Sequence, residues 1–339
     1  MDISIIIPTK NRYIYLKKLI NYYDDIKFKG TLIIIDSSDH EDLAKTKILI
    51  NQNTNLSINY VVYQSDEIAC KFRICKDIKS KYVVQSGDDD YYAIAGLKKI
   101  IKFLDKNKDY IAASGYGYTV GYNLKNNIFK GISKYNILCT NKNNPLERVK
   151  DWKIKGNVAD YMVCKSEVYQ KILENTWYDE NFKLYLLRRY WEYTFKFYIF
   201  LYGKSSVLDT FYMVRLRIPE NSLAFPKTTN LVYLNNKRSF LKAYFISIKK
   251  LKLIIKNLDD KDSQEIFLLA KKNIKKEIYM IIKKSKVNLF YNKLNMFKNL
   301  AITVFSRLFS NKDSILSLIS KNSNNYKEDF AIIIESIKK

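Results

Sequence analysis

Lys81-Tyr82-Val83-Val84-Gln85-Ser86-Gly87-Asp88-Asp89-Asp90 begins as a short apolar run and closes on three adjacent carboxylates, with Tyr91-Tyr92 behind them. The run reads as a buried strand ending in a turn. Clustered carboxylates repel one another, so the triplet is costly unless a cation sits among them. Oxygen-only ligands select hard cations such as Mg²⁺ or Mn²⁺, held partly by a substrate's phosphates. On its own such a triplet also suits a solvated acidic turn. Its position in the chain decides between the two.

Towards the N-terminus, Ile3 to Ile7 is apolar except for Ser4 and is ended by Pro8, which predicts a buried parallel strand. Helical spacing from Tyr13 to Ile26 puts Leu16, Leu19, Ile20 and Tyr23 on one face. A second apolar strand, Thr31 to Ile35, ends at Asp36. Glu41 to Ile50 reads as helix, Ile58 to Tyr63 as strand, Asp66 to Ile78 as helix, Tyr82 to Gln85 as the fourth strand and Ala93 to Asp105 as helix. Alternating strands and helices imply βαβ units, whose right-handed crossovers set all strand C-termini along one edge. Ligands bind at that edge. Pro8-Thr9, Asp36 and Asp88 to Asp90 all fall there. No GxGxxG follows the first strand, which disfavours an NAD-type site.

The 339 residues suffice for one large domain or two, and 47% hydrophobic content excludes a disordered chain. The formal net charge of +25 favours anionic partners: sugar nucleotides, acidic glycans or anionic lipid. No RNP, zinc-finger or basic-zipper pattern accompanies it, so nucleic acid is not an expected partner. Cys70, Cys75, Cys139 and Cys164 lack CxxC spacing and read as reduced thiols of a cytosolic protein. His40 is the only histidine, in a loop after Ser37-Ser38-Asp39, which rules out a Ser-His-Asp triad and leaves acid–base work to carboxylates, Lys or Tyr. The N-terminus reads as a strand rather than a signal peptide, and no apolar stretch is long enough to span a membrane.

Beyond Tyr110 the pattern is mixed. Tyr110 to Val120 is strand-like, Gly156 to Leu173 holds a short strand or turn and then a helix, Tyr185 to Tyr202 is an aromatic helix, and Ser205 to Arg217 returns as a strand. From about Asn230 the chain reads as almost wholly helical, with Glu328–Ile337 as a final helix after a polar linker. The expected domains are 1–225, α/β with a mixed, mainly parallel sheet, and 226–339, helical. The Lys-flanked apolar stripes of the second region suit packing on the first, docking on an anionic membrane surface, or a homodimer face.

The ordered set Ser4-Ile5-Ile6-Ile7-Pro8-Thr9-Lys10-Asn11-Arg12, Ile33-Ile34-Ile35-Asp36-Ser37-Ser38-Asp39 and Tyr82-Val83-Val84-Gln85-Ser86-Gly87-Asp88-Asp89-Asp90 resembles family 2 glycosyltransferases of the GT-A fold, over roughly residues 1 to 217. The resemblance implies that Pro8, Thr9, Arg12 and Asp36 belong to a nucleotide-binding site. It also implies that Asp88 and Asp89 contribute to that site, and that Asp88 and Asp90 hold Mn²⁺ or Mg²⁺ on the diphosphate of a nucleotide-sugar donor, a UDP-sugar first. The implied reaction is an inverting displacement in which a carboxylate deprotonates the acceptor hydroxyl. The family's base lies in an ED-type pair about a dozen residues before a Gly that precedes a strand. Counting back from Gly203 gives Glu192, with Trp191 in place of the first acid; Asp160 is the second choice. A salt bridge to Arg188 is the other reading of Glu192. Lys71 or Arg73 stands where the family carries a diphosphate-binding basic residue, and a solvated helix face suits both equally.

The expected protein is thus a cytoplasmic glycosyltransferase, peripheral on the inner face of the cell membrane, that builds a bacterial-type surface polysaccharide on a glycan or lipid-linked acceptor. A nucleotidyltransferase would want glycines after the first strand, which Pro8-Thr9-Lys10-Asn11-Arg12 lacks. A non-catalytic GT-A partner subunit has no need of the intact acidic triplet.

Overall fold

A computed structural model describes residues 1–53, 55–63, 71, 73–123, 128–135, 137–151, 161–176, 195–217, 245, 248–249, 251–252, 255, 262–273, 275–276 and 327–338. The chain divides into two compact units. The first comprises Met1–Thr119, Lys134–Leu216 and Asn325–Lys339, and the second Val120–Ser133 with Arg217–Asn324.

The first unit is built on β1 (Ile3–Thr9), α1 (Tyr13–Asp25), β2 (Thr31–Asp36), α2 (His40–Gln52), β3 (Ser57–Val62) and β4 (Tyr82–Gln85). These are the elements that the periodicity predicts, shifted by one or two residues at their ends. Strands β1, β2, β3 and β4 are parallel, with Thr9 opposite Asp36 and Ile6 opposite Gln85. Ile5, Ile6 and Ile7 are fully buried because both faces of β1 are covered. After β4 come β5 (Asp90–Tyr92), α3 (Ile94–Lys106), β6 (Tyr110–Asn123), β7 (Ile128–Tyr135), α4 (Pro145–Lys150), β8 (Val163–Lys165), α5 (Ser166–Thr176) and β9 (Lys204–Arg217). Among the described residues the sheet runs β3-β2-β1-β4-β8-β6-β9-β5, with β7 paired to β6. Strand β8 is antiparallel to both β4 and β6, and β5 is antiparallel to β9, so the sheet is mixed.

Strand β5 is a departure from the sequence reading, which ends the carboxylate run in a turn. Asp90 itself is the first residue of a short strand, opposite Arg215 of β9. The aromatic pair explains why. Tyr91 and Tyr92 are buried, Tyr91 lies edge-on to Tyr22 at 5.3 Å, and Tyr92 lies against Tyr212 at 4.9 Å. The Tyr22 hydroxyl donates to the Tyr92 carbonyl at 2.8 Å, and the Tyr92 hydroxyl donates to the Gln85 carbonyl. Buried phenols that find acceptors hold the turn from beneath. Gly96 permits α3 to lie on β9: a Cβ there would meet the Phe211 carbonyl oxygen at 2.2 Å.

The helix expected over Glu328–Ile337 is α6 (Lys327–Lys338), and it packs on α1. Lys18 Nζ donates to the Ile337 carbonyl at 2.7 Å, and Phe330 sits edge-on to Tyr118 and Phe211 at 6.0 and 5.8 Å. In the second unit, residues 262–273 include a helical run that buries Ile266 and Ala270. Among the described residues no helix is long and apolar enough to cross a membrane.

Candidate active site

The C-terminal edge of the parallel strands gathers Thr9, Arg12, Asp36 and the acidic triplet. Local structure sets the approach of each. The β1–α1 loop is tied to the β2–α2 loop by a reciprocal pair: Asn11 Nδ2 donates to Asp39 Oδ2 and the Asp39 N–H donates to Asn11 Oδ1, both at 2.8 Å. The Asn11 N–H donates to Ser38 Oγ at 2.7 Å, and Asn11 takes a left-handed φ of 52°, a conformation Asn tolerates. This turn aims Arg12 back across the edge. Arg12 occupies the N-cap position of α1, where Ser, Thr, Asp or Asn is preferred, and makes no side-chain capping bond. Its guanidinium serves the carboxylates instead.

Arg12 Nε lies 3.0 Å from Asp88 Oδ1, and Arg12 Nη2 lies 2.5 Å from Asp89 Oδ2, with the guanidinium 4.4 Å over the Tyr15 ring. Thr9 Oγ1 donates to the other Asp88 oxygen at 2.8 Å. Burial pushes the Asp88 carboxyl up to about 8, and Asp89 adds to this, while Arg12 and the Thr9 hydroxyl pull the other way. The single ion pair therefore offsets only part of the cost of burying this carboxylate. Burial also works against the charge on Arg12, yet Asp88 and Asp89 outweigh it and its pKa is raised.

Asp90 is 1% exposed. Its Oδ2 accepts from the Gly87 N–H at 2.8 Å, and its Oδ1 is buried without a hydrogen-bond partner, 3.8 Å from Arg215 Nε. Burial pushes this carboxyl up to about 6, opposed by Arg215 and, more weakly, by Gly87 N–H and the Tyr161 hydroxyl. Arg215 is flanked by the Tyr161 and Tyr135 rings at 5.1 and 5.8 Å. A Cβ at Gly87 would meet Asp89 Oδ1 at 2.7 Å and Asp90 Oδ2 at 2.9 Å, so a side chain there would push both carboxylates from these positions.

Asp36 is fully buried at the end of β2. Its Oδ1 accepts from the Ser38 N–H and its Oδ2 from the Tyr60 hydroxyl, both at 2.9 Å. Pro8 pairs with Ile35 beside it. Lys71 is buried and donates to Gln85 Oε1 at 2.7 Å, on the strand that delivers the triplet. Arg73 is exposed and lies 4.9 Å over the Tyr63 ring. Glu192 and Asp160 lie outside the described residues. Tyr60, Tyr161 and Arg215 are absent from the sequence reading. Arg215 had a signal, a charge interrupting the apolar run Phe211-Tyr212-Met213-Val214. Tyr60 and Tyr161 had none.

The sequence matches no protein-family model and no curated protein. Solved structures do match. The 1–349 fragment of S. aureus TarS superposes with a TM-score of 0.53 at 14% identity, covering 80% of this chain and 71% of that one. The fold is GT-A. The same TarS fragment in complex with UDP gives 0.49 at 16% identity over 79% and 70% of the two chains. Mannosyltransferase PcManGT from Pyrobaculum calidifontis, in complex with GDP-Man and Mn²⁺, gives 0.46 at 10% identity over 99% and 86%. Within the GT-A fold, the acidic triplet and Asp36 of this chain stand at the strand-end edge where open α/β sheets take their ligands.

Proposed function

We propose that this chain is a glycosyltransferase that moves a sugar from a nucleotide-sugar donor, a UDP-sugar first, to a glycan or lipid-linked acceptor. One observation carries the reading: Thr9, Arg12 and the Asp88–Asp90 triplet, of which Asp88 and Asp90 are buried, lie some 80 positions apart in sequence and meet at one edge of a GT-A sheet beside Asp36. Asp36 and Thr9 would take the base and ribose, and Arg12 and Lys71 would meet the diphosphate.

Burial and the crowding of three carboxyls work against ionising Asp88 and Asp90, and a diphosphate brings more negative charge. A divalent cation resolves that conflict. Among the described residues no three Asp, Glu, His or Cys side chains form a metal cage, but an ion shared with a diphosphate needs only one or two protein carboxylates. Asp90 Oδ1, which faces Arg215 at 3.8 Å and makes no direct hydrogen bond, suits that role, with Asp88 as its companion. Mn²⁺ or Mg²⁺ bound there would act as a Lewis acid on the departing diphosphate.

In the displacement, the acceptor oxygen bonds to the anomeric carbon as the bond from that carbon to the diphosphate oxygen breaks. The nucleoside diphosphate leaves with the electron pair, and the acceptor proton passes to a carboxylate base. Glu192 is the first candidate for that base and Asp160 the second. Inversion follows from a single in-line step. The basic helical region beyond residue 226 would bring the enzyme to an anionic membrane surface. Calorimetry with UDP, GDP, CDP and dTDP, with and without Mn²⁺, tests the donor site. One nucleotide is expected to bind, and to bind more tightly with the metal. A chain indifferent to all four overturns the proposal.

A further inference from the structure

Among the described residues, Asp36 is the one acid of the edge whose two oxygens are both held by neutral donors. The two holds differ in kind. The Ser38 N–H bond is local, two residues along the chain, and any Asp-Ser-Ser turn can make it. The Tyr60 bond crosses from another strand, 24 residues away. The ladder explains how it reaches. Asp36 pairs with Val62 and Ile34 with Tyr60, so Tyr60 and Asp36 are diagonal neighbours on one face of the sheet. Long aromatic side chains span that diagonal. The Tyr63 N–H donates to the Asp36 carbonyl at 2.9 Å, so the end of β3 grips Asp36 by its backbone as well as its carboxylate.

Packing does not account for a tyrosine at this position. Strand β3 lies at the edge of the described sheet, and each of its residues is at least partly exposed. A half-buried ring there gains little that another apolar residue would not supply. What Tyr60 adds is a fixed donor. With Ser38 and Tyr60 each filling one lone pair, the buried carboxylate cannot rotate without losing both bonds, and its remaining lone pairs point in a set direction.

We infer that Tyr60 is a positioning residue for donor recognition, which orients Asp36 through its hydroxyl and makes edge strand β3 part of the nucleotide site. The inference rests on the proposal that Asp36 contacts the nucleotide, and it goes beyond it by naming what aims that contact. Tyr60 acts through Asp36 and not on the ligand. A double-mutant cycle separates this from a structural role, with dissociation constants measured by calorimetry for whichever of the four nucleoside diphosphates the wild-type chain binds. Tyr60→Phe keeps the ring and is expected to weaken binding about ten-fold, the scale of a lost hydrogen bond to a charged group. In an Asp36→Ala background the same substitution is expected to cost less than two-fold, because the group it orients has gone. Tyr60→Gln, which restores a donor on a shorter chain, recovers part of the loss and covers the case in which the Phe variant melts early. Equal binding by wild type and Tyr60→Phe overturns the inference, as do losses that add in the double variant. Wild-type protein that binds no nucleotide overturns the donor-site proposal itself, a distinct outcome.

Discussion

Raising the pH from 6 to 8 should strengthen the joint binding of Mg²⁺ and a UDP-hexose by about 100-fold. The sign comes from burial: Asp88 and Asp90 both hold their protons to higher pH than an ordinary carboxyl, and a divalent cation needs them ionised. With Asp88 at about 8, roughly 1% is ionised at pH 6 and roughly half at pH 8, a gain of about 50-fold. With Asp90 at about 6, the ionised share rises from roughly half to nearly all, a further gain of about two-fold. Binding at pH 6 should accordingly release about 1.5 protons. Calorimetry in buffers of different ionisation enthalpy measures affinity and proton release together. A UDP-hexose is the right probe because it lacks the terminal phosphate ionisation of UDP, which falls in the same range. The folded, ligand-free chain holds protons that an unfolded chain, with carboxyls near 3.8, has already given up. These two groups therefore contribute most to stability at about pH 4 and below, the contribution falls as the pH rises from about 4 to 8, and the melting temperature without metal should decline over that window. Affinity that is flat from pH 6 to 8, with no proton release, refutes the reasoning.

Two further outcomes test the scaffold beneath the site. Gly96→Ala pushes a methyl group into the Phe211 carbonyl and should cost about 1–3 kcal/mol in urea unfolding, because α3 has to move off β9. Unchanged stability would mean that α3 yields freely. Phe330→Ala removes a buried ring from the contact with Tyr118 and Phe211 and should cost about 3–5 kcal/mol, read from the same unfolding curves. A loss under about 1 kcal/mol would show that α6 contributes little to holding the first unit together.

The parallel half of the sheet was legible because its strands are continuous apolar runs and its helices carry clear stripes. The triplet was legible because three carboxylates at a strand end conflict with ordinary local chemistry, and such conflicts mark functional sites. What escaped the reading depends on distant partners. Asp90 enters a strand only because Arg215, Val214 and Met213 of β9 lie alongside. Three residues carry no period of their own, so the stretch looks like part of a turn. Helix α4 was missed despite a visible signal, Asn144 followed by Pro145 and Glu147, which form an N-cap and a first turn. Strand β7 was missed as well. The stripe on α6 was legible, but its seat on α1 was not, since amphipathicity names a buried face and not its partner.

That seat has a consequence for how the protein is made. Lys18 of α1 meets its partner carbonyl at Ile337, 319 positions further along. A ribosome therefore releases α1 long before it has polymerised the helix that roofs it. Through most of synthesis the flank of α1 that carries Lys18 waits without α6, so the contacts between these two helices are among the last that the chain can form.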